Sequence, residues 1–196
     1  MDKQTKLCEF VLYIGMKNDV SFLIKDVLNL YEHQSTFSSN LPLRGLLYFA
    51  DLYRKMIGNS RDIYSSRQIR LPYPQFVVFY KGRKEEPERQ IIYLHDAFPE
   101  GINVEDAALQ CRAVVLNINL GCNSEIMKKC RKLKEYAEFI SRVREYTAQG
   151  KPIRVSIDDA VNACIKENIL ADIFRDNREE ASDKDYQQKL FEEFGL

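Results

Sequence analysis

An α/β fold, a mixed central sheet flanked by helices with a helical C-terminal part, is what this 196-residue sequence predicts. Three observations carry that prediction. Short runs of β-branched and aromatic residues separated by turn residues fill residues 9–34. A helical apolar period follows from residue 43, and beyond Gly121 the period is helical almost throughout. Strands, helix, strands and helices in that order read as one sheet with helices packed on it.

The elements follow in turn. From Glu9 to Gln34 a text rich in Val, Leu, Ile, Phe and Tyr is punctuated at Gly15, Asn18-Asp19 and Lys25-Asp26, which predicts strands at 9–15, 19–25 and 27–34. Ser38-Ser39-Asn40 supplies N-cap oxygens, and Pro42 sits in a first helical turn, where its missing N–H costs little. The apolar face of that helix is read as Leu43, Leu46, Leu47, Ala50, Tyr53 and Ile57. Residues 58–70 form a polar, basic loop, after which Leu71-Pro72-Tyr73-Pro74 forces an extended lead into a buried strand at 75–80. A charged turn covers 81–89, and strands are expected at 91–94 and 113–119. Helices are then expected at 123–132 and 133–147. A break at Gly150-Lys151-Pro152 precedes a helix capped by Ser156, with Asp158 and Asp159 near its positive end, and an amphipathic helical tail runs on to Leu196. Two units are expected, a domain over 1–150 and a helical extension over 151–196.

Composition excludes several function classes. Lys plus Arg and Asp plus Glu both number 29, so the global field does not draw the chain onto nucleic acid and any such binding has to be local. Cations concentrate between Arg54 and Arg70 and over residues 128–134, the latter read first as a solvated helix face. The apolar runs are too short to span a bilayer, so no membrane association is expected. The N-terminus lacks the pattern of a secretory signal. Five cysteines without CxxC pairs or zinc-site spacing read as free thiols, and a cytoplasmic location is expected. No phosphate-cradling glycine loop is present, which argues against nucleotide hydrolysis. His95-Asp96 lacks an accompanying nucleophile turn and reads as a turn cap.

The residues with the most chemistry lie in the 19–34 hairpin. A magnesium ion takes hard oxygen ligands, commonly one or two carboxylates with water and substrate phosphate. Asp19 opens one strand and Glu32 nearly ends the next, so an antiparallel hairpin turning at Lys25-Asp26 sets the two acids side by side. Alternation along the strand directs Glu32 and Gln34 to one face and His33 to the other. His33 is therefore expected to pack rather than to act as a base. A solvated edge or a turn cap is the competing reading of the acid pair. Arg44 and Tyr48, on the helix after the hairpin, are candidate contacts to a substrate phosphate, with structural roles as the alternative.

The D…ExQ arrangement, with "LYEHQSTFSSNLPLRGLLYFADLY", "LPYPQFVVFYKG", "LHDAF", "VVLNINLGCNSEIMKKCRKLKEYAEFISRVREY" and "ACIKENILADIFRDNREE", resembles the Rpn family. These are recombination-promoting nucleases and transposase-like proteins of the PD-(D/E)XK superfamily, with a restriction-endonuclease-like fold. The resemblance runs from about Leu12 to Glu180. It implies a DNA endonuclease that hydrolyses phosphodiester bonds with Mg2+, or Mn2+ as a substitute. Asp19 and Glu32 would be the metal-holding catalytic acids, and Gln34 would stand at the position usually held by lysine. Members usually carry a longer helical region ahead of the first core strand, whereas here only Met1 to Glu9 precede it. The alternative is therefore a shortened, inactive relative that binds DNA or protein. The expected partners are DNA and a homo-oligomer or a mixed oligomer with a full-length relative.

Overall fold

The structure, a computed structural model, describes residues 19–58 and 61–176. The strand expected at 9–15 and the tail beyond residue 176 lie outside the described residues. Five strands form one mixed sheet: β1 (Asp19–Ile24), β2 (Val27–Gln34), β3 (Tyr73–Tyr80), β4 (Arg89–Tyr93) and β5 (Arg112–Asn117), in the order β1-β2-β3-β5-β4. Around it lie α1 (Leu41–Ile57), α2 (Ser124–Lys129), α3 (Arg131–Ala148), α4 (Ile153–Lys166) and α5 (Ala171–Asp176). The α/β class and the mixed sheet agree with the sequence expectation.

Chain connectivity explains the mixture. β1 and β2 are joined by the two residues Lys25 and Asp26, a link short enough only for an antiparallel pair, and Lys25 takes a φ of 55° to close it. β2 and β3 are parallel, which requires a long crossover, and α1 with the loop behind it provides one. β5 continues the parallel set beside β3, and β4 closes the far edge antiparallel to β5.

A parallel core covered on both faces calls for nearly continuous apolar strands, and β2 and β3 read that way. On one face Leu28, Leu30, Phe76, Val78, Tyr80, Ala113 and Val115 pack beneath Leu41 and Phe49 of α1. On the other, Tyr31, Phe79 and Ile118 meet Met127, Leu133 and Ala137 of α2 and α3. α4 is built onto α3, where Phe139, Ile140 and Val143 bury Ile157, Ala160 and Cys164.

Five local expectations are corrected. The inward stripe of α1 is Leu41, Gly45 and Phe49, with Tyr48, Leu52 and Tyr53 half-buried, whereas Leu43, Leu47 and Ala50 face outward. The reason is Gly45: a Cβ there would stand 2.5 Å from Cδ1 of Phe76, so the missing side chain lets α1 settle on the sheet along that line. Ser156 is not a cap, since α4 already begins at Ile153 behind the extended Pro152; its hydroxyl donates to the Pro152 carbonyl at 3.2 Å. β5 stops at Asn117, and the helix break falls at Cys130. Cys111, Cys122 and Cys164 carry free thiols, but Cys130 is disulfide-bonded.

Asn117 and Asn119 bond chiefly to the charged excursion between β3 and β4. Asn117 Nδ2 donates to the Glu86 carbonyl at 2.7 Å and Asn119 Nδ2 to that of Gly82 at 3.0 Å. Asn123 adds donors to the Glu88 and Asn117 carbonyls. Among the described residues no helix is long and apolar enough to cross a membrane.

The Gly45 contact makes a stability prediction with a definite sign. On an open helix surface Gly→Ala raises stability by about 1 kcal/mol. Here the added methyl meets a buried aromatic ring, and overpacking of that kind costs roughly 1–3 kcal/mol. Gly45→Ala should therefore lower the urea midpoint, and the loss should shrink in a Phe76→Leu background. A Gly45→Ala protein more stable than the parent would show that α1 does not rest on Phe76.

Candidate metal and phosphate site

The ladder between β1 and β2 makes Asp19 the direct partner of Glu32 at the open end of the hairpin, opposite the Lys25-Asp26 turn. Glu32 has the parity of Leu28 and Leu30, so its carboxylate projects toward α1, and it is 1% exposed. A carboxylate taken out of water needs compensating charge and hydrogen bonds. Both are supplied at one oxygen. Arg44 Nη2 lies 2.7 Å from Glu32 Oε1, and Gln34 Nε2 donates to the same oxygen at 2.7 Å.

Each partner is delivered by its element. Gln34 follows Glu32 by two positions on β2 and so shares its face. Arg44 stands in the first turn of α1, immediately before Gly45, and the close approach at that glycine brings its guanidinium over the end of β2. The Arg44 side chain is 39% exposed, so the pair runs from the core to the surface. Gln34 can satisfy the carboxylate only through its NH₂, which directs its Oε1 away from Glu32. That oxygen is buried with no hydrogen-bond partner among the described residues.

Of the candidates named from the sequence, Glu32, Gln34 and Arg44 converge, and Asp19 is held opposite Glu32 by register. Tyr48, one turn beyond Arg44, is half-buried and packs against the core cluster of α1 and the sheet. The sequence places Arg44 near a substrate phosphate but gives no sign of its contact with Glu32, because helix spacing does not say which strand residue a long side chain reaches.

His33 faces the other way, as alternation requires. Its ring packs edge-on against Phe79 and Tyr136, with centroids 5.5 and 5.9 Å away. Neither ring nitrogen has a hydrogen-bond partner among the described residues, and burial, with the Lys81 charge nearby, lowers its pKa to about 3. Lys81 is itself buried, and its amine lies 3.1 Å from the Tyr136 hydroxyl. Its backbone N–H donates to the Gln34 carbonyl at 2.8 Å, and Arg144 donates to its carbonyl. The only sequence signal for this buried lysine is its position at the end of an apolar strand, "FVVFYK".

The remaining candidates have ordinary partners. Asp96 accepts from the Tyr93 N–H at 2.9 Å and caps a short 3₁₀ turn. Lys128 pairs with Glu125 at 3.4 Å on an exposed helix surface, as a solvated face does, whereas Arg131 reaches in to the buried Glu135 at 2.5 Å, whose other oxygen accepts the Leu170 N–H at 2.9 Å, so the 128–134 cluster is a solvated face only in part.

Among the described residues no three His, Cys, Asp or Glu side chains cluster as a metal cage. The oxygens on offer are one buried carboxylate and one buried amide oxygen, with a second acid opposite in the ladder. That set is too sparse for a cage of protein ligands alone, and it suits a hard ion that keeps its waters, as magnesium does. No protein-family model, curated protein or solved structure matches the chain.

The buried imidazole makes stability depend on pH. The unfolded chain takes up a proton at His33 near pH 6.5 while the folded protein resists until about pH 3. Between those values the unfolded state binds more protons, so stability present above pH 6.5 is lost as the pH falls, by up to about 1.4 kcal/mol per unit. His33→Phe removes the group. Its denaturation midpoint should fall less between pH 7 and pH 4.5 than that of the parent. Parallel pH profiles for the two proteins would mean that His33 titrates alike in both states.

Proposed function

We propose that this chain is a metal-dependent DNA endonuclease of the PD-(D/E)XK kind, hydrolysing phosphodiester bonds. The observation that carries the reading is the β1/β2 register, with Asp19 opposite a Glu32 that is almost fully buried yet bonded to Gln34. A structural ion pair has no need of an interior carboxylate beside an unsatisfied amide oxygen, whereas a metal site uses both. The parallel β2/β3 pair and the helix layers on both faces agree with such a fold at the coarse level.

In this reading Asp19 and Glu32 hold the ion, and Gln34 offers its free oxygen to the attacking water or to the ion's own water. Mg2+, or Mn2+ in its place, would supply Lewis acidity and lower the pKa of a bound water. Arg44 has the planar fork of donors that suits a phosphodiester, and its partial exposure lets it reach one. Tyr48, one turn beyond Arg44 with its ring on the core, is the second proposed contact to the substrate phosphate. DNA is the proposed partner, bound locally because the net charge is zero. Self-association, or pairing with a longer relative, belongs to the same proposal. A DNA substrate inside the cell implies the cytoplasm, where the Cys130 disulfide would be under reducing pressure.

A second reading draws on a specific observation. The Arg44 guanidinium already balances Glu32, as it would in an inactive relative that keeps the fold to bind DNA or protein. Nicking of supercoiled plasmid separates the two. The parent protein should nick with Mg2+ or Mn2+ and not with EDTA, while Asp19→Ala and Glu32→Ala should lose at least about a hundredfold in rate, as loss of a group that stabilises the transition state does. Circular dichroism should show both variants folded. Identical residual nicking by all three proteins would identify a contaminant and leave the binding reading.

A further inference from the structure

We propose that Arg44 is a counter-ion latch: a tethered cation that competes with a divalent metal for Glu32 and keeps the site metal-poor until the guanidinium is drawn away. The inference rests on the nuclease reading. It starts from one atom, Glu32 Oε1, which receives both Arg44 Nη2 and Gln34 Nε2 at 2.7 Å. Gln34 is neutral and opposes a metal only by occupying a lone pair. Arg44 carries full charge, and a divalent ion on the same carboxylate would stand within a few ångströms of it. Like charges at that distance in a poorly hydrated site repel strongly.

The two ends of the pair differ in what they can do alone. Glu32 is 1% exposed, so its charge has to be accompanied by a cation. Arg44 is 39% exposed on the first turn of α1, and its long side chain can swing into solvent or onto a phosphodiester, its preferred planar partner. One buried negative charge thus serves two alternative cations. With the guanidinium in place the apo fold is balanced. With a metal in place the guanidinium is released for substrate, so metal and DNA should favour each other's binding.

The test is Mn2+ binding alone, followed by the electron paramagnetic resonance of the free ion, with the whole chain and no DNA. The proteins are the parent, Arg44→Met, Arg44→Gln and Glu32→Gln. Arg44→Gln keeps a donor for the buried carboxylate, so it protects the test if Arg44→Met does not fold. Both Arg44 variants should bind Mn2+ about tenfold more tightly than the parent, the factor that one charge-assisted hydrogen bond of ordinary strength represents. Glu32→Gln should lose binding. Equal affinity in the parent and the Arg44 variants, with loss in Glu32→Gln, overturns the latch and leaves the nuclease site standing. Weaker binding in the Arg44 variants also overturns it, by making Arg44 a support for the metal. Absence of Mn2+ binding in all four proteins overturns both readings together.

Discussion

The parallel pairing of β2 with β3, covered on both faces, governs the rest of the molecule. A strand buried on both sides has to be apolar along nearly its whole length, so a polar residue on it is an energetic exception that needs a partner. β2 ends in three such residues, Glu32, His33 and Gln34. The period of two sends the first and third toward α1 and the second toward α3. Each then acquires its surroundings from the face it meets: the Arg44 guanidinium of α1 on one side, the rings of Phe79 on β3 and Tyr136 on α3 on the other. The polar end of one strand therefore serves both layers without mixing them.

Much of this was legible in the text. Alternation alone separated Glu32 and Gln34 from His33, and the turn residues Lys25-Asp26 fixed the hairpin that sets Asp19 against Glu32. The apolar run at 75–80 announced a central strand. The phase of α1 was not legible. Two overlapping stripes compete on that helix, and the one richer in leucine is the outer one; a glycine, silent in any count of apolar residues, decides the matter by permitting contact with Phe76. The Arg44 contact was hidden for the same reason, because it depends on how α1 is rotated. Lys81 escaped because a charge after an apolar strand ordinarily marks a turn to solvent, and here it marks a buried amine.

The site is asymmetric in its solvation. Glu32 is almost fully buried, while its partner Arg44 is 39% exposed. An arrangement of that type is poor as a stabilising ion pair, since desolvation of the carboxylate offsets most of the attraction. It serves better as a place where one cation can be exchanged for another. The three-residue stretch Ser38 to Asn40 leads directly into the helix that carries Arg44, with Asn40 at the N-cap position but without a side-chain cap hydrogen bond, so the guanidinium stands on the first turn of α1 and not on a loop.

The charged excursion after β3 has a part in this that its composition conceals. Residues 82–88 are fastened to the body of the protein by hydrogen bonds: the side-chain amides of Asn117, Asn119 and Asn123 each donate to its carbonyl groups, as do the Asn117 N–H and the Tyr80 hydroxyl. Directional bonds of this kind fail together, because opening one strands the others in a partly dry setting. The excursion should thus detach as a single cooperative unit or stay in place entirely, despite looking on paper like a loose, solvated turn. Lys81, at its root, holds the Gln34 carbonyl. Detachment would therefore free the backbone of the very residue whose amide faces Glu32, which makes the excursion a clamp on the end of β2.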